Sequence, residues 1–429
     1  MISFFKRLMR DPRGNAILIA GAAMPVVIGA AGLATDTTQW VLWKRQLQRA
    51  ADSAALAGAY AKSQSDSASS AVAADLVNNN QAKNQSGINL SAGYPQISYP
   101  TSSSWSYGVQ VSLAIQKKLS FSSLFMATAP VVTATATAGL VDSGDYCVVA
   151  LEKTTATGIT VGGNTNTTLG CGAISNSRNQ SSSVAANGNS YTFTADPVAA
   201  VGGLPDAITG VTNLRPYHTA MPDPFANQYS TSVPPGMPCK TFAQHASNGN
   251  TNPKTLTPGC YTGFSPNGNS TYNMQPGVYY LDSTDFQLNG NDTIVGTGVT
   301  IILTGATPGS IKVNGTSTVQ LTAPTSSTCA VDSAGSNSCS YKNMLFIQAA
   351  NAANNNGNTI NGTASSYYDG AMYFPNGQVS FTGTTAAMTK CAMVVARQVV
   401  FSGNSSLQNN TTGCSAATKV KGKEVRLVA

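Results

Sequence analysis

The strongest hydrophobic signal in the chain lies near its N-terminus. Residues 14–35 form a run of 22 residues without a charge, between Arg13 and Asp36. As a helix rising about 1.5 Å per residue, this run reaches roughly 33 Å, enough to cross the ~30 Å hydrocarbon core of a bilayer. Backbone groups in lipid must bond within their own segment, so the pattern predicts a transmembrane helix, kinked at Pro25.

Basic residues set the expected orientation of this segment. Lys6, Arg7, Arg10 and Arg13 precede it, which predicts a cytoplasmic N-terminus. A cleaved signal peptide is the alternative, but its apolar core is shorter, about 7–15 residues. We therefore expect residues 1–35 to be a basic tail and a retained single-pass anchor.

The helical pattern continues beyond the apolar run. One face is marked by residues that recur every three or four positions: Trp40, Trp43, Leu47, Ala51, Ala54 and Gly58. The tryptophans lie where an interfacial aromatic belt is expected, and the small residues permit close approach of another element. Two interpretations remain open: the face packs on the chain's own β structure, or it contacts other membrane-anchored subunits.

From residue 88 onward, the pattern changes to short apolar runs broken by Gly, Asn and Pro. Residues 109–115 alternate as in a half-buried strand, and residues 131–140 do so less cleanly. With the preceding helical stalk, residues 36–142 are expected to form a small α+β unit.

A loose repeat follows Cys147, in which an apolar pair precedes Gly or Asn-Gly and then a Thr- and Ser-rich stretch. Its copies are residues 159–164, 286–291, 311–316, 359–363, 379–384 and 399–404. From Gly290, the marker glycines lie 25, 47, 21 and 20 residues apart, which fits a unit of about 20–25 residues if one copy is hidden. We expect residues 143–429 to be an exported, mainly-β domain, with a loop-rich insertion at 196–258. A parallel β-helix is favoured, with a β-sandwich as the alternative.

Composition supports export and argues against nucleic-acid binding. Only 10% of residues are charged, and Asn, Ser, Thr and Gly supply the polarity. Of the net charge of +7, residues 1–49 carry +5, beside the hydrophobic run. The remaining charge is too small and too scattered to predict a surface that binds nucleic acid.

Eight cysteines begin only after the predicted anchor: Cys147, Cys171, Cys239, Cys260, Cys329, Cys339, Cys391 and Cys414. They form four local couples with no C-x-x-C, and the chain has only two histidines, so disulfides are favoured over metal sites. Sequential pairing is the interpretation we prefer. Disulfides need an oxidising compartment, which supports export of everything beyond the anchor.

A family resemblance rests on about 50 residues, of which residues 44–59, KRQLQRAADSAALAGA, are the most specific. Together with residues 13–16, 25–27 and 32–36, this stretch resembles the N-terminal region of the TadE/TadG-like proteins of the Tad (Flp, tight-adherence) pilus system. The resemblance implies an inner-membrane anchor and a part in pilus assembly. Its implied partners are other pilus subunits, inner-membrane assembly proteins and the lipid bilayer.

The sequence departs from this family at two points. Processed Tad pilins carry a Glu five residues after the cleaved Gly, whereas Ile19 follows Gly14 at that spacing. Longer TadG-like proteins have a von Willebrand factor A-type domain with an Asp-x-Ser-x-Ser metal motif, which is absent here. The resemblance is therefore to TadG-like proteins without that domain, and we expect neither metal nor cofactor.

An enzyme is the contrasting hypothesis, because parallel β-helices include carbohydrate-active enzymes. Such catalysis needs convergent carboxylates, whereas Asp282 and Asp285 have an odd spacing that points them to opposite strand faces. His218 and His245 lie in loops without a flanking nucleophile. We therefore expect a non-catalytic assembly component or minor pilin-like scaffold. The alternatives are a pilus-associated adhesin with a surface or polysaccharide ligand, and a β-helical carbohydrate-active enzyme.

Overall fold

The computed structural model describes residues 12–63, 65–80, 89–188, 190–246, 252–266, 268–331, 337–353, 357–361, 363–382, 386–403, 406–410 and 419–428. The chain divides into two compact units. The first contains residues 1–142 and 424–429, and the second contains residues 143–423.

One long helix dominates the first unit. Helix α1 runs from Pro12 to Ser63 without interruption at Pro25, which lies inside it. After a short turn come helix α2 (Ala68–Ala74), capped by the hydroxyl of Ser67, and a π-helical segment (Asp75–Asn80). The prediction of one long apolar N-terminal helix is confirmed.

An antiparallel sheet completes the first unit. Its strands are β1 (Gln96–Ser98), β2 (Ser106–Gln116) and the first half of β3 (Val131–Ala150). Side chains of a strand alternate between faces, so β2 directs Val109, Val111, Leu113 and Ile115 to one side, where all four are buried. Both strands predicted in this region are present.

Small and branched residues form the core of the first unit. Leu47 and alanines of α1 pack against the valines of β2 and the alanines of β3. Gly58 marks the closest approach, because a Cβ atom there would lie 2.9 Å from side-chain carbons of Val109 and Val72. The helix therefore lies on the sheet with almost no room for larger side chains.

We predict that Gly58→Leu lowers the free energy of unfolding by about 1–3 kcal/mol, because the added side chain overpacks this contact. Gly29→Leu is the matched control, since a Cβ atom there has nothing within 4 Å. Thermal unfolding of the two detergent-solubilised variants, followed by circular dichroism, measures the effect. Equal melting temperatures for both variants would contradict the packing described.

Short strands make up most of the second unit, which begins with the second half of β3. The next strands are β4 (Ile159–Gly162), β5 (Asn166–Thr168), β6 (Gly172–Ser175), β7 (Val184–Asn187), β8 (Thr192–Thr194), β9 (Val198–Ala200), β10 (Leu214–Arg215), β11 (Cys239–Lys240), β12 (Lys254–Leu256) and β13 (Gly259–Tyr261). After them come β14 (Thr271–Met274), β15 (Gly277–Asp282), β16 (Phe286–Leu288), β17 (Thr293–Thr297), β18 (Val299–Thr304), β19 (Ile311–Val313), β20 (Thr318–Thr322), β21 (Met344–Gln348), β22 (Asn358–Ile360) and β23 (Tyr367–Asp369). The last are β24 (Ala371–Phe381), β25 (Ala386–Lys390), β26 (Met393–Phe401), β27 (Ser406–Asn410) and β28 (Val420–Leu427). A short helix α3 (Phe242–His245) precedes β12.

Parallel pairing orders these strands into three series. The first joins β11, β13, β15, β18, β21, β24, β26, β3, β6, β9 and β10. The second joins β16, β19, β22, β24, β26, β4 and β7. The third joins β12, β14, β17, β20, β23, β25, β27, β5 and β8. The second unit is thus a mostly-β domain of large parallel sheets.

The first strands of the domain, β3, β4 and β5, are inner strands of the three series and not edge strands. Strands β3, β4 and β5 pair on one side with β6, β7 and β8, and on the other with β26 and β27. The segment between β10 and β11 returns the chain to the opposite end. The N-terminal strands of the domain are therefore hydrogen-bonded to β26 and β27, which lie near its C-terminal end in sequence.

The spacing of 47 residues between repeat glycines has a different cause from the one expected. Lys312 of β19 pairs directly with Thr359 of β22, so no hidden copy lies between them. The extra residues belong to a segment between β20 and β21 that contains Cys329 and Cys339. The repeat copies at 359–363, 379–384 and 399–404 extend into residues outside the described part of the chain.

The apolar interior is built largely from aromatic rings. Phe381 stacks on Phe401 with ring centroids 5.3 Å apart, and Phe264 stacks on Phe286 at 4.8 Å. In the first series, side chains on the other face of the strands, such as Tyr280, are buried in a second cluster. This cluster also contains Phe225, which lies in the segment between β10 and β11. Strands buried on both faces explain the continuous apolar runs, because neither face needs polar residues.

A buried ion pair ties the end of β3 to β26. The carboxylate of Glu152 accepts hydrogen bonds from the amide and hydroxyl of Thr154 at 2.9 and 2.7 Å, and from Arg397 at 2.7 Å. Burial by itself raises the pKa of Glu152, but these hydrogen bonds and the charge of Arg397 lower it below its ordinary value overall.

We predict that Glu152→Gln lowers the free energy of unfolding by about 2 kcal/mol at neutral pH, because charged hydrogen bonds are lost. A carboxyl group whose pKa is lower in the folded state stabilises the fold at pH values above its unfolded-state pKa of about 4.3. This stabilisation is lost as the pH falls through the folded-state pKa. The difference from wild type should therefore shrink in acid. Melting temperature against pH measures it.

Asp145→Asn provides the control for this experiment. Its ion pair with Lys419 has side chains 38% and 42% exposed, so its removal should cost only about 0–1 kcal/mol. A Glu152→Gln variant as stable as the Asp145→Asn variant at neutral pH would contradict the role of the buried pair.

Candidate functional site

Between residues 19 and 35, α1 presents apolar side chains on all sides. Six large apolar residues from Ile19 to Leu33 are more than half exposed, and Val26 is 70% exposed. The helix is long and apolar enough to cross a membrane, and only 6% of an apolar stretch of 18 residues within it is buried. A core helix of a water-soluble protein would bury such residues, so these properties are consistent with membrane anchoring.

The helix satisfies its own polar groups where the apolar segment ends. The hydroxyls of Thr35, Thr37 and Thr38 each donate to the carbonyl four residues earlier, at 2.7–2.9 Å. A hydroxyl bonded in this way leaves no unsatisfied donor near lipid. This stretch is therefore suited to the transition from apolar to aqueous surroundings.

Asp36 connects this point of the helix to the segment between β2 and β3. Its buried carboxylate accepts a hydrogen bond from the amide of Phe121 at 2.9 Å, and two more from the amide and hydroxyl of Ser122. Gly32 lies one turn earlier, and any Cβ atom there would clash with the Phe121 ring. The two residues together hold this segment against the helix.

The two tryptophans of the predicted face have different surroundings. Trp40 is 44% exposed, as expected for a belt at a membrane surface. Trp43 is buried, and the ammonium of Lys117 lies 5.4 Å from its ring centroid. Of these two tryptophans, Trp43 belongs to the core of the first unit and Trp40 does not.

The small-residue face is already occupied within the chain. Leu47, Ala51, Ala54 and Gly58 are all buried in the first unit. Of the two interpretations that the sequence leaves open, the structure has the first, packing on the chain's own sheet. A different stripe of the helix is exposed, marked by Leu42, Arg45, Arg49 and Tyr60.

Three disulfides are described, and each joins neighbouring cysteines in sequence. They are Cys147–Cys171, Cys239–Cys260 and Cys329–Cys339. Cys239 and Cys260 are also register partners on adjacent strands, with Cα atoms 4.4 Å apart. Cys391 is disulfide-bonded as well, and its expected partner Cys414 lies outside the described residues.

One group of possible metal ligands occurs in the described residues, and it consists of Cys239, Cys260 and Asp282. The two sulfur atoms are bonded to each other, so neither is a thiolate ligand. Nearby His245 is buried against the Tyr261 ring, and its Nε2 donates to the carbonyl of Cys260 at 2.8 Å. Burial lowers the pKa of His245, which keeps it a neutral structural group.

His218 has a neighbour that sequence reasoning missed. Its Nε2 lies 2.8 Å from the hydroxyl of Ser143, and its Nδ1 lies 2.8 Å from the carbonyl of Thr219. A carbonyl only accepts, so Nδ1 donates to it. When the ring is neutral, Nε2 then accepts from Ser143, as in a nucleophile–base pair. Ser143 is buried, however, and a Cβ atom on Gly422 would lie 2.5 Å from its hydroxyl, so the backbone closes over the pair.

The described fold thus defines a protein with an N-terminal helix able to cross a membrane, joined to a mostly-β domain. Residues 14–61 match the family model described as putative Flp pilus-assembly TadE/G-like. No curated protein and no solved structure matches the chain. This match confirms the resemblance predicted from the sequence and supports a role in pilus assembly. The matched residues all lie within α1.

We predict that Asp36→Ala releases the segment that this carboxylate holds. The amides of Phe121 and Ser122 should then exchange with deuterium about tenfold faster or more, because they lose a charged acceptor. Hydrogen-exchange mass spectrometry of the full chain in nanodiscs measures this. Asp66→Ala, an exposed residue of the same unit, should leave the exchange of both amides unchanged.

Proposed function

We propose that this chain is a non-catalytic, membrane-anchored component of a Tad (Flp) pilus assembly apparatus, acting as a scaffold or minor pilin-like subunit. The observation that carries the proposal is the coincidence of two features in α1. The residues that match the pilus-assembly family, 14–61, include the exposed apolar segment that is able to span a membrane.

In this proposal, the N-terminus is cytoplasmic and the rest of the chain lies beyond the inner membrane. Basic residues before the apolar run favour this orientation. The disulfides support it, because they persist in oxidising compartments and are rare in the cytoplasm.

The mostly-β domain is proposed to be a parallel β-helix. Strands β15, β16 and β17 form one coil, with one strand in each series, and β18, β19 and β20 form the next. Registers such as Tyr280 opposite Ile302 and Phe286 opposite Ile311 support this, because they stack apolar residues on apolar residues. A β-sandwich is less compatible, since its sheets are antiparallel.

A scaffold needs a surface for its partners, and the exposed stripe of α1 is the surface we assign to the other pilus subunits. Leu42, Arg45, Arg49 and Tyr60 recur at helical spacing on the side that the chain's own sheet leaves uncovered. Arginine and tyrosine are among the residues that contribute most to protein interfaces. The small-residue face is already filled by the chain itself and is not assigned to a partner.

Three acidic residues have structural partners, which supports a role without catalysis. Asp285 accepts from Lys312 and from the amide of Ser310, and Asp223 accepts from the hydroxyl of Tyr373 and the amide of Phe225. Glu152 pairs with Arg397. Glycoside hydrolysis needs two carboxyl groups that converge on one open site, and these three serve other purposes.

Deletion of the gene tests the proposal. Cells without the protein should lose surface pili by electron microscopy, and the wild-type gene should restore them. Normal pili with poor attachment would instead indicate an adhesin and would overturn the assembly role.

The charge-reversed variant Arg45→Glu/Arg49→Glu should restore few pili although it folds normally, because it changes only exposed side chains. The Ser143→Ala variant should restore pili fully, since we treat its hydroxyl as structural. A folded Ser143→Ala protein that fails to restore pili would contradict the non-catalytic assignment. The melting temperatures of both variants are the control for folding.

A further inference from the structure

The segment between β2 and β3, residues 117–130, exposes consecutive large apolar side chains. Leu124, Phe125 and Met126 are 74%, 76% and 50% exposed, respectively. Exposed apolar area is unfavourable in water, so three such side chains in a row at a loop tip indicate a binding surface. We call these three residues the apolar tip.

The apolar tip is held beside the end of the exposed apolar part of α1. Asp36 binds the amides of Phe121 and Ser122, and the Phe121 ring packs against Gly32. Leu33, the next helix residue, is 58% exposed. All these residues belong to the first unit, so one body presents both the helix and the tip.

The backbone of the tip is already hydrogen-bonded. Residues Ser122–Leu124 form a 3₁₀ turn, in which the amides of Leu124, Phe125 and Met126 donate to the carbonyls of Phe121 or Ser122 at 2.8–3.1 Å. Backbone groups that enter an apolar medium need partners, because water is absent there. The three amides of the apolar tip have such partners within the turn itself.

The charge around the tip is positive. Lys117 and Lys118 precede it and are exposed, and residues 113–141 contain no acidic residue. Lys44 and Arg45 of α1 are exposed in the same unit. Basic residues that flank apolar side chains are the pattern of segments that lie in the interface of an anionic bilayer.

We propose that the apolar tip inserts into the headgroup and upper acyl region of the same bilayer that α1 spans, as a second membrane contact. The occupant is lipid because the tip is continuous with a lipid-exposed helix and is flanked by cations. Two contacts fix the tilt of the first unit, which one helix alone does not. The inference rests on the membrane anchor of the proposed function but not on the pilus role.

Spin labels on single added cysteines test this contact in the full-length protein. The described cysteines are all in disulfides, so a label reports the added residue. Leu124→Cys tests the tip, Val26→Cys tests the helix, and Ser104→Cys, an exposed residue elsewhere in the unit, is the aqueous control. The protein is placed in nanodiscs of phosphatidylcholine and phosphatidylglycerol, and collision rates with oxygen and with a water-soluble nickel chelate are measured.

Labels at Leu124 and Val26 should both collide preferentially with oxygen, with a ratio several-fold above that at Ser104. If the label at Val26 collides preferentially with oxygen but the ratio at Leu124 equals that at Ser104, the proposed second contact is wrong and the membrane anchor stands. If the ratio at Val26 also equals that at Ser104, the membrane anchor itself is wrong. Failure to form pili after gene deletion is a separate outcome and leaves this result unaffected.

A second set of variants separates lipid contact from burial against protein. With the label on Met126→Cys, the double substitution Leu124→Ser/Phe125→Ser should shift the collision ratio toward the aqueous value. Tyr99→Ser, at an exposed aromatic residue of the same unit, should leave it unchanged. An oxygen preference at Met126→Cys that the Leu124→Ser/Phe125→Ser substitution leaves unchanged would mean that protein, and not lipid, covers the tip, and would overturn the proposal.

Discussion

The packing of α1 on its own antiparallel sheet is the interaction on which the first unit depends. Ala51, Ala54 and Gly58 bring the helix so close to β2 that little else can enter between them. This contact gives the C-terminal part of a single long helix a folded partner, while the apolar stretch before Asp36 stays exposed. The hydrogen bonds from Phe121 and Ser122 to Asp36 mark the point where the exposed apolar stretch ends and the packed part of the helix begins.

The second unit is organised by a different constraint, the pairing of strands β4 to β27 with parallel neighbours. Because β3, β4 and β5 enter between β6 to β8 on one side and β26 and β27 on the other, the N-terminal strands of the domain are tied to strands near its C-terminal end. Aromatic stacks such as Phe381 on Phe401 fill the interior, and disulfides link neighbouring segments. The contacts that hold this domain together are therefore spread along many short strands rather than concentrated at one place.

Some features were predictable because they depend on local pattern. The uncharged run before Asp36 and the alternation at residues 109–115 each specify one element from adjacent residues. The neighbours of His218 and the cause of the 47-residue spacing were missed. Ser143 lies 75 residues from His218 in the chain, and no local signal connects residues at such a distance.

By itself, the sequence determined an N-terminal apolar helix, a change to short repeated β segments and a set of cysteines in local couples, because periodicity and composition act over short distances. It also contained the TadE/G-like residues 14–61 that support a role in pilus assembly. Only the tertiary structure decided that the small-residue face of α1 is used within the chain, and that Asp36 holds Phe121 and the apolar tip beside the helix. The physical reason is that one amphipathic face can pack equally well on its own sheet or on another subunit. Only the arrangement of distant residues selects between these two.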